Sequence, residues 1–244
     1  MKRGFRLELF FLVFFLAACH SITRSTTDIG MPPSLVMFSF DDGPNSYGDT
    51  TSRLLDVLEK HQIRALFCLL GENVERNPEL VRRMHNEGHY IVNHGYSGKW
   101  AHGMGNEEFR DNLVRGEAAI SAALGFELYP KLYRPHGGFY HSAQEVIIRE
   151  AGYTLVPGSI RVYDAALSGT ERSTVIRRII KKTEKQGGGI ILLHDGHDSH
   201  LRMEKKLAKN PQGVFDRSWI PELVDELIYV LLEKGFSLNS CGVF

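Results

Sequence analysis

The chain has 244 residues, of which 43% are hydrophobic and 24% are charged, and this balance is that of an ordinary globular protein. Its length predicts one large domain of about 200 to 250 residues once any leader is removed. Lys and Arg together number 29, as do Asp and Glu, so neither charge is in excess. Nucleic-acid binding usually requires a basic face, and we therefore predict no nucleic-acid partner.

The first 19 residues have the features of an export signal. Lys2 and Arg3 lie in a basic N-terminal segment, and residues 9–16 form an apolar run. This run ends in the tetrapeptide LAAC at Cys19. This arrangement resembles a bacterial lipoprotein signal, which implies that Cys19 carries lipid and anchors the protein to a membrane. An uncleaved anchor or a plain secretory signal is the alternative. Each of these predicts an exported protein, and the lipoprotein signal predicts one that is anchored in the bacterial cell envelope.

A tether is predicted between the anchor and the domain. Residues 20–34 have the composition of such a segment, because they are rich in Ser and Thr and contain Pro32 and Pro33. The remainder, 35–244, alternates apolar runs with helical patterns. The runs predict strands at 35–40, 64–70, 89–93, 131–134, 153–160, 189–193 and 236–240. The patterns predict helices at 49–61, 77–87, 106–124, 142–151, 170–186 and 216–234.

The order of these elements predicts the fold class. Strands that alternate with helices form a mostly parallel sheet, because each helix returns the chain to the same end of the sheet. We therefore predict an α/β protein, a distorted (β/α) barrel with about seven parallel strands and no second domain. In such a barrel the chemical groups gather at the carboxyl ends of the strands.

Polar residues suited to catalysis follow five of the predicted strands. The first strand ends at Asp41 and Asp42, and adjacent residues of an extended chain point to opposite sides. These two carboxylates are therefore predicted to have different roles, one binding a metal and the other accepting a proton. The other polar groups are Asn93-His94, Arg134-Pro135-His136-Gly137-Gly138, Ser159 to Asp164, and His194-Asp195-Gly196. Together they predict a hydrolytic site.

Four short motifs carry a family resemblance. FDDGP, NHGYS, RPHGG and LLHDG occur in this order between Leu35 and Leu238. The chain resembles the NodB-like polysaccharide deacetylases, carbohydrate esterase family 4. The resemblance implies a metal-dependent hydrolase that removes acetyl groups, with N-acetyl groups expected, from an extracytoplasmic glycan. Peptidoglycan, a chitin-like oligomer and an exopolysaccharide all fit, and we expect a monomer.

The resemblance also implies roles for single residues. Asp41 matches the general base, and Arg134 matches the arginine that orients it. His194 matches the general acid, a role that suits histidine because its ordinary pKa of about 6.5 allows proton donation near neutral pH. Gly137 lies where the family uses a backbone N–H to stabilise an oxyanion, and Leu192 matches an apolar residue that packs on the acetyl methyl group.

The implied metal site is incomplete in the sequence. Asp42 and His94 match two ligands of one divalent ion, with Zn²⁺ expected and Co²⁺ or Ni²⁺ as alternatives. The family's second histidine position is occupied by Gly98. Two protein ligands hold a divalent ion less firmly than three, so we expect weak binding or none unless another group joins. His102, four residues further on, is the candidate that a flexible loop would bring in.

Two further departures from the family pattern leave alternatives open. His136 stands where the family usually has proline, and we interpret it as a change to the groove. Arg161 stands where many members have aspartate; it either depresses the pKa of Asp41 further or contacts the glycan. A catalytically impaired glycan-binding lipoprotein, suggested by Gly98, is the main competing function. A phosphoesterase on a similar barrel is weaker, since such sites use more carboxylates.

Overall fold

The computed structural model describes residues 22–24 and 32–238 of the chain. Cys19 and most of the predicted tether lie outside these ranges. The strands are β1 Ile22–Arg24, β2 Val36–Gly43, β3 Leu66–Leu69, β4 Tyr90–Asn93, β5 Leu132–Tyr133, β6 Phe139–His141, β7 Thr154–Leu155, β8 Ile160–Arg161 and β9 Gly189–His194. The helices are α1 Thr50–Lys60, α2 Gly71–Arg76, α3 Pro78–Asn86, α4 Asn106–Leu124, α5 Ser142–Glu150, α6 Arg172–Gln186, α7 His200–Leu207 and α8 Ile220–Glu233.

Seven of these strands form one parallel sheet in the order β7-β5-β4-β3-β2-β9-β8. β7 and β8 lie at opposite edges of that sheet, yet only residues 156–159 separate them in the chain. Five residue steps span at most about 18 Å. The sheet must therefore curl until its two edges come close together. The predicted α/β fold, a distorted barrel of seven parallel strands, is confirmed.

Alternation along β2 divides the apolar core into two layers. Val36, Phe38 and Phe40 pack with the apolar stripes of α1 and α8 in the outer layer between the sheet and the helices. Met37 faces the barrel interior, where it packs with Leu66, Cys68, Val92 and Ile190 from neighbouring strands. Ser39 and Asp41 have the same parity as Met37, so they continue this inner row towards the carboxyl end of the sheet.

The structure differs from the predicted elements at several places. Within the predicted tether, Ile22–Arg24 form β1, which pairs antiparallel with β6, a strand that was not predicted either. The predicted strand 153–160 is two short strands, because Pro157 lacks a backbone N–H and interrupts the run. The predicted strand 236–240 contributes only a bridge between Ser237 and Leu35 within the described residues. Two short helices, α2 and α7, were not predicted, since they are too short for a periodic apolar pattern. No helix in the described ranges is long and apolar enough to cross a membrane.

Candidate active site

The carboxyl ends of the strands meet in one cleft with a volume of about 480 Å³. The loops after β2, β4, β5, β8 and β9 all contribute to its walls. Its lining residues include Asp41, Asp42, His94, Trp100, Arg134, His136, Gly137, Arg161, Tyr163, Leu192 and His194. The residues to which the family resemblance assigns a role therefore all lie in this one cleft, whereas His102 is not among its lining residues. They are Asp41, Asp42, His94, Arg134, Gly137, Leu192 and His194.

Asp41 and Asp42 both reach the cleft because β2 is irregular at its end. Asp41 is in register with His194 on one side and with Cys68 on the other. The register then shifts so that Gly43, rather than Asp42, faces Leu69. Asp42 has a positive φ of 69°, a left-handed conformation that costs energy outside glycine. The expectation that the two carboxylates point to opposite sides is therefore wrong.

Arg134 holds Asp41 inside the protein. Its Nη1 donates to Asp41 Oδ1 at 2.5 Å and to Ser39 Oγ at 2.9 Å. Its Nε and Nη2 donate to the carbonyls of Val156 and Pro157, in the segment that joins the two sheet edges. Burial alone would raise the pKa of Asp41, but the Arg134 guanidinium, together with His94 and His194, outweighs burial and keeps that pKa below its ordinary value.

His94 is fixed as a neutral imidazole with one nitrogen available. Its Nδ1 lies 2.7 Å from the carbonyl oxygen of Arg134, and a carbonyl can only accept, so Nδ1 carries the hydrogen. Burial is the largest influence on this ring and lowers the pKa of His94 to about 4. Its Nε2 therefore has a free lone pair, 3.5 Å from Asp42 Oδ1. This pattern is typical of metal-binding histidines.

His136 completes a group of three possible metal donors. Its Nε2 lies 3.3 Å from Asp42 Oδ1, and its ring lies edge-on to that of His94 with centroids 5.1 Å apart. The donor atoms of Asp42, His94 and His136 all lie within 4.8 Å of one another, and all three residues are buried. Asp42 Oδ1 accepts no hydrogen bond from the described residues. Sequence reasoning missed this role of His136.

His102 is not part of that group. It lies in a short turn, Ala101–Gly103, closed by hydrogen bonds such as the one from the Gly103 N–H to the Trp100 carbonyl. Its carbonyl oxygen is 2.6 Å from His141 Nε2, which fixes the turn further. The rings of Trp100 and Phe139 lie beside its imidazole. These contacts hold His102 in place, so the expected swing towards Asp42 is not observed.

His194 is held by Asp164, a partner that sequence reasoning did not identify. Its Nδ1 lies 3.0 Å from Asp164 Oδ1, and its backbone N–H donates to Asp164 Oδ2 at 2.9 Å. Burial by itself would lower the pKa of His194, but the carboxylate of Asp164 raises it to about 9. Asp164 is fully buried in the segment that follows β8. Its place among the polar residues after a predicted strand was the sequence signal that could have identified it.

Two glycines let the loops after β2 and β9 pack closely. A Cβ on Gly43 would lie 2.6 Å from Asp195 Oδ1, and a Cβ on Gly196 would overlap the backbone of Asp42. Asp195 is fully buried below the cleft and accepts a hydrogen bond from the Thr51 hydroxyl. Burial raises the pKa of Asp195 to about 7. Asp195 thus supports the loop that carries Asp42.

The outer walls of the cleft are aromatic and cationic. Trp100 and Tyr163 are 57% and 70% exposed, respectively. The Trp100 ring lies against Gly137, which has a positive φ of 80° and whose Cβ, if present, would lie only 3.1 Å from that ring. Arg161 donates to the Gly158 carbonyl at 3.0 Å and also lines the cleft. Gly137 and Leu192 are both in this wall, and their predicted roles stay predictions.

Comparisons with known proteins match this chain to deacetylases that act on polysaccharides or oligosaccharides. A family model described as polysaccharide deacetylase matches residues 28–156. A peptidoglycan-N-acetylglucosamine deacetylase of Bacillus cereus is 32% identical over 167 residues, which cover 68% of this chain and 58% of that protein. A chitooligosaccharide deacetylase of a Bradyrhizobium species is 34% identical over 181 residues, covering 72% and 77%.

A solved structure has the same fold. It is the crystal structure of the Bc1960 peptidoglycan N-acetylglucosamine deacetylase in complex with 4-naphthalen-1-yl-N-oxidanyl-benzamide. The two chains are 27% identical with a TM-score of 0.67, and the match covers 85% of this chain and 91% of the other. The barrel fold therefore has a counterpart in a solved deacetylase structure.

Proposed function

Because the chain belongs to the polysaccharide deacetylase family, we propose that it is a metal-dependent hydrolase that removes acetyl groups from an extracytoplasmic glycan. One observation carries the proposal. The cleft contains both a carboxylate held by an arginine, Asp41 with Arg134, and an imidazole held by a carboxylate, His194 with Asp164. An ionised base and a protonated acid in one cleft are what amide hydrolysis requires.

Asp41 is the proposed base. Arg134 occupies its Oδ1, so Oδ2 is left to accept the proton of the water that attacks the acetyl carbonyl. The same guanidinium keeps the carboxylate ionised and in one orientation. Arg134 itself is only 2% exposed and cannot turn towards solvent.

His194 is the proposed acid. Asp164 occupies its Nδ1, which leaves Nε2 for the departing amine nitrogen. A carboxylate partner stabilises the imidazolium and fixes the ring orientation, as in other catalytic carboxylate–histidine pairs. Leu192, two residues earlier on β9, lines the cleft, and its proposed role is to contact the methyl group of a bound acetamide.

The donor set in the cleft fits a divalent cation. Asp42 Oδ1 is buried without a hydrogen-bond donor among the described residues, and His94 Nε2 has a free lone pair beside it. Carboxylate and imidazole groups suit Zn²⁺, with Co²⁺ and Ni²⁺ as related alternatives. When bound, such an ion would supply Lewis-acid polarisation of the acetyl carbonyl.

The walls of the cleft suit a sugar chain. Exposed aromatic rings such as Trp100 and Tyr163 present flat apolar faces to the C–H faces of sugar rings. The two relatives named above act, by their names, on peptidoglycan N-acetylglucosamine and on chitooligosaccharide. We therefore propose a glycan that contains N-acetylglucosamine. The proposed location is the bacterial cell envelope, with lipid on Cys19 as the anchor.

Acetate release tests this function. The full chain with Zn²⁺ or Co²⁺ is incubated with peptidoglycan and with N-acetylglucosamine oligomers. We expect acetate from at least one of them and a decrease in kcat on the order of 100-fold or more for Asp41→Asn. Asp111→Asn, at a carboxylate that is 67% exposed, is the matched control and should act as wild type. Glycan binding without acetate release would instead support the impaired glycan-binding lipoprotein.

A further inference from the structure

Asp42, His94 and His136 form a buried group that offers three donor atoms to one metal ion. Resting on the proposed function, we infer that His136 is the third protein ligand and takes the place of the histidine that Gly98 lacks. The ligand then comes from the loop after β5 instead of the loop after β4. The cleft is therefore an equipped metal site and not the remnant of one.

The distances support this set. Asp42 Oδ1 lies 3.5 Å from His94 Nε2 and 3.3 Å from His136 Nε2. A tetrahedral zinc ion at about 2.0 to 2.1 Å from each ligand separates neighbouring ligand atoms by about 3.3 Å. Each imidazole therefore already stands at nearly the required separation from the carboxylate, and the donor atoms of the two imidazoles lie within 4.8 Å of each other. Catalytic zinc sites have three protein ligands and one open position, which matches a set of three at a cleft.

The loop after β5 is built to place His136 there. The carbonyl of Arg134 accepts the hydrogen bond from His94 Nδ1 at 2.7 Å, so the two histidine-bearing loops are tied together next to the site. Gly137 and Gly138 follow with positive φ angles of 80° and 77°, which only glycine adopts at little cost. The Gly138 N–H donates to the Pro135 carbonyl at 2.9 Å and closes the turn around His136.

The position of Gly98 is closed to any side chain. A Cβ there would overlap the backbone carbonyl of Asp198, in the loop after β9. That loop is fixed on both sides of the overlap: Asn73 Nδ2 donates to the His197 carbonyl at 3.3 Å, and Ser199 caps the first turn of α7. A side chain at position 98, where the family pattern has its second histidine, would thus collide here with backbone from another loop.

Zinc binding to the full chain tests the inference without any turnover. Competition with a chromophoric chelator gives affinity and stoichiometry for the wild type, His136→Ala and the matched control His102→Ala. We expect one zinc per chain for the wild type and for His102→Ala. We expect the zinc affinity of His136→Ala to be lower by on the order of 100-fold, because removing a ligand should cost at least as much as removing a residue that only hydrogen-bonds to a ligand. Circular dichroism verifies that each variant is folded.

A second variant guards against a simple folding defect. His136→Cys supplies a different donor at the same place, so its Co²⁺ complex should show the near-ultraviolet thiolate-to-cobalt charge-transfer band that the wild type lacks. Absence of this band from a folded His136→Cys that binds Co²⁺ would overturn the inference. Wild-type zinc affinity in His136→Ala would overturn it as well.

Substitution of Gly98 tests the inference independently. Gly98→His should not tighten zinc binding and should lower the thermal midpoint, whereas Gly103→His, at a glycine with open space around its Cβ position, should leave both nearly unchanged. Tighter zinc binding by Gly98→His would contradict the inference. A wild type that binds no zinc yet releases acetate would contradict the metal dependence of the proposed function, and a wild type that binds zinc but releases no acetate would contradict only its activity.

Discussion

At the scale of single residues, Arg134 has the most consequences for the cleft. It donates four hydrogen bonds, two of them to carbonyls in the segment that joins the sheet edges. The Arg134 side chain thus keeps the proposed base ionised and also links it to the segment that joins the two edges of the sheet. A buried charge that is paired and fully hydrogen-bonded is tolerated, but the same charge without its partner is costly.

Arg134→Met should therefore destabilise the protein strongly. The change leaves the buried Asp41 carboxylate without its partner, and we expect a loss of about 3 to 5 kcal/mol in the free energy of unfolding. Urea denaturation measures this loss. Arg110→Met is the matched control, because Arg110 is 57% exposed and its ion pair with Glu150 is long at 3.9 Å; it should change stability by less than about 0.5 kcal/mol. Equal effects of the two substitutions would contradict the assigned role.

The site residues differ in how far the sequence could predict them. Asp41, Arg134 and His194 lie inside contiguous motifs, and the structure brings them to one cleft. His136 lies in the same RPHGG motif as Arg134, but it is 42 positions beyond His94 in the chain, and no spacing rule relates the two loops. Only packing in three dimensions puts its ring beside Asp42. The direction of Asp42 was not predictable either, since it depends on an irregular register at the end of β2.

At the scale of elements, the loop after β8 fixes His194, the proposed general acid. Arg217 is fully buried and donates to the carbonyls of Asp164 and Ala165 at 3.0 and 2.7 Å. These bonds fix the backbone that carries the Asp164 carboxylate. The carboxylate in turn binds both the ring and the backbone of His194 at the end of β9.

Asp164→Asn should separate chemistry from metal binding. Asparagine has one acceptor oxygen where the carboxylate offers two, so it cannot bind both His194 nitrogens as an acceptor. We expect kcat to fall by about 100-fold to 10,000-fold while zinc affinity stays near that of the wild type. Acetate release and chelator competition measure the two quantities. Asp56→Asn, at an exposed carboxylate, should leave kcat unchanged. A wild-type kcat in Asp164→Asn would exclude this pairing from the mechanism.

Elements with strong periodicity were predictable, and those set by tertiary contacts were not. The longest helix, predicted at 106–124, is observed over Asn106–Leu124. The run 153–160 is interrupted at Pro157, and Arg134 also binds the carbonyls of Val156 and Pro157 instead of leaving them to a neighbouring strand. That competition involves residues more than twenty positions apart, which a local pattern does not contain.

At the scale of the whole molecule, stability should depend on pH through His89. Its Nδ1 accepts the Ala65 N–H at 3.2 Å, so the folded ring is neutral. Burial, followed by the charges of Arg64 and Arg83, lowers the pKa of His89 to about 4 from an ordinary value of about 6.5. Between these values the unfolded chain binds a proton that the folded chain does not. Stability is therefore lost as the pH falls through this window, by up to about 3 kcal/mol.

His89→Asn should flatten that dependence. Asparagine can accept the Ala65 N–H but does not titrate, so the free energy of unfolding should fall less between pH 6.5 and pH 4 than in the wild type. Urea denaturation at a series of pH values gives the comparison. His85→Asn, at an exposed histidine, should retain the wild-type slope. Identical slopes for His89→Asn and the wild type would show that His89 is not the titrating group.

The cellular location of the whole protein should depend on Cys19. A lipid chain contributes about 0.8 kcal/mol per buried CH₂ group to membrane binding, so Cys19→Ser should shift the protein from the membrane fraction to the soluble fraction. It should also abolish labelling by radioactive palmitate. Cys241→Ser is the control and should keep both properties. Membrane retention and palmitate labelling in Cys19→Ser would reject the lipoprotein signal.

The central claim is that this cleft is a complete metal-dependent deacetylase site, and a titration of acetate release against zinc tests it most directly. The chelator-treated full chain receives increasing zinc at saturating N-acetylglucosamine oligomer or peptidoglycan. We predict that the rate rises from near zero and saturates at one zinc per chain, and that His136→Ala shows no such rise at the same zinc concentrations. A full rate in the chelator-treated protein, or no acetate with one zinc bound per chain, would contradict the claim.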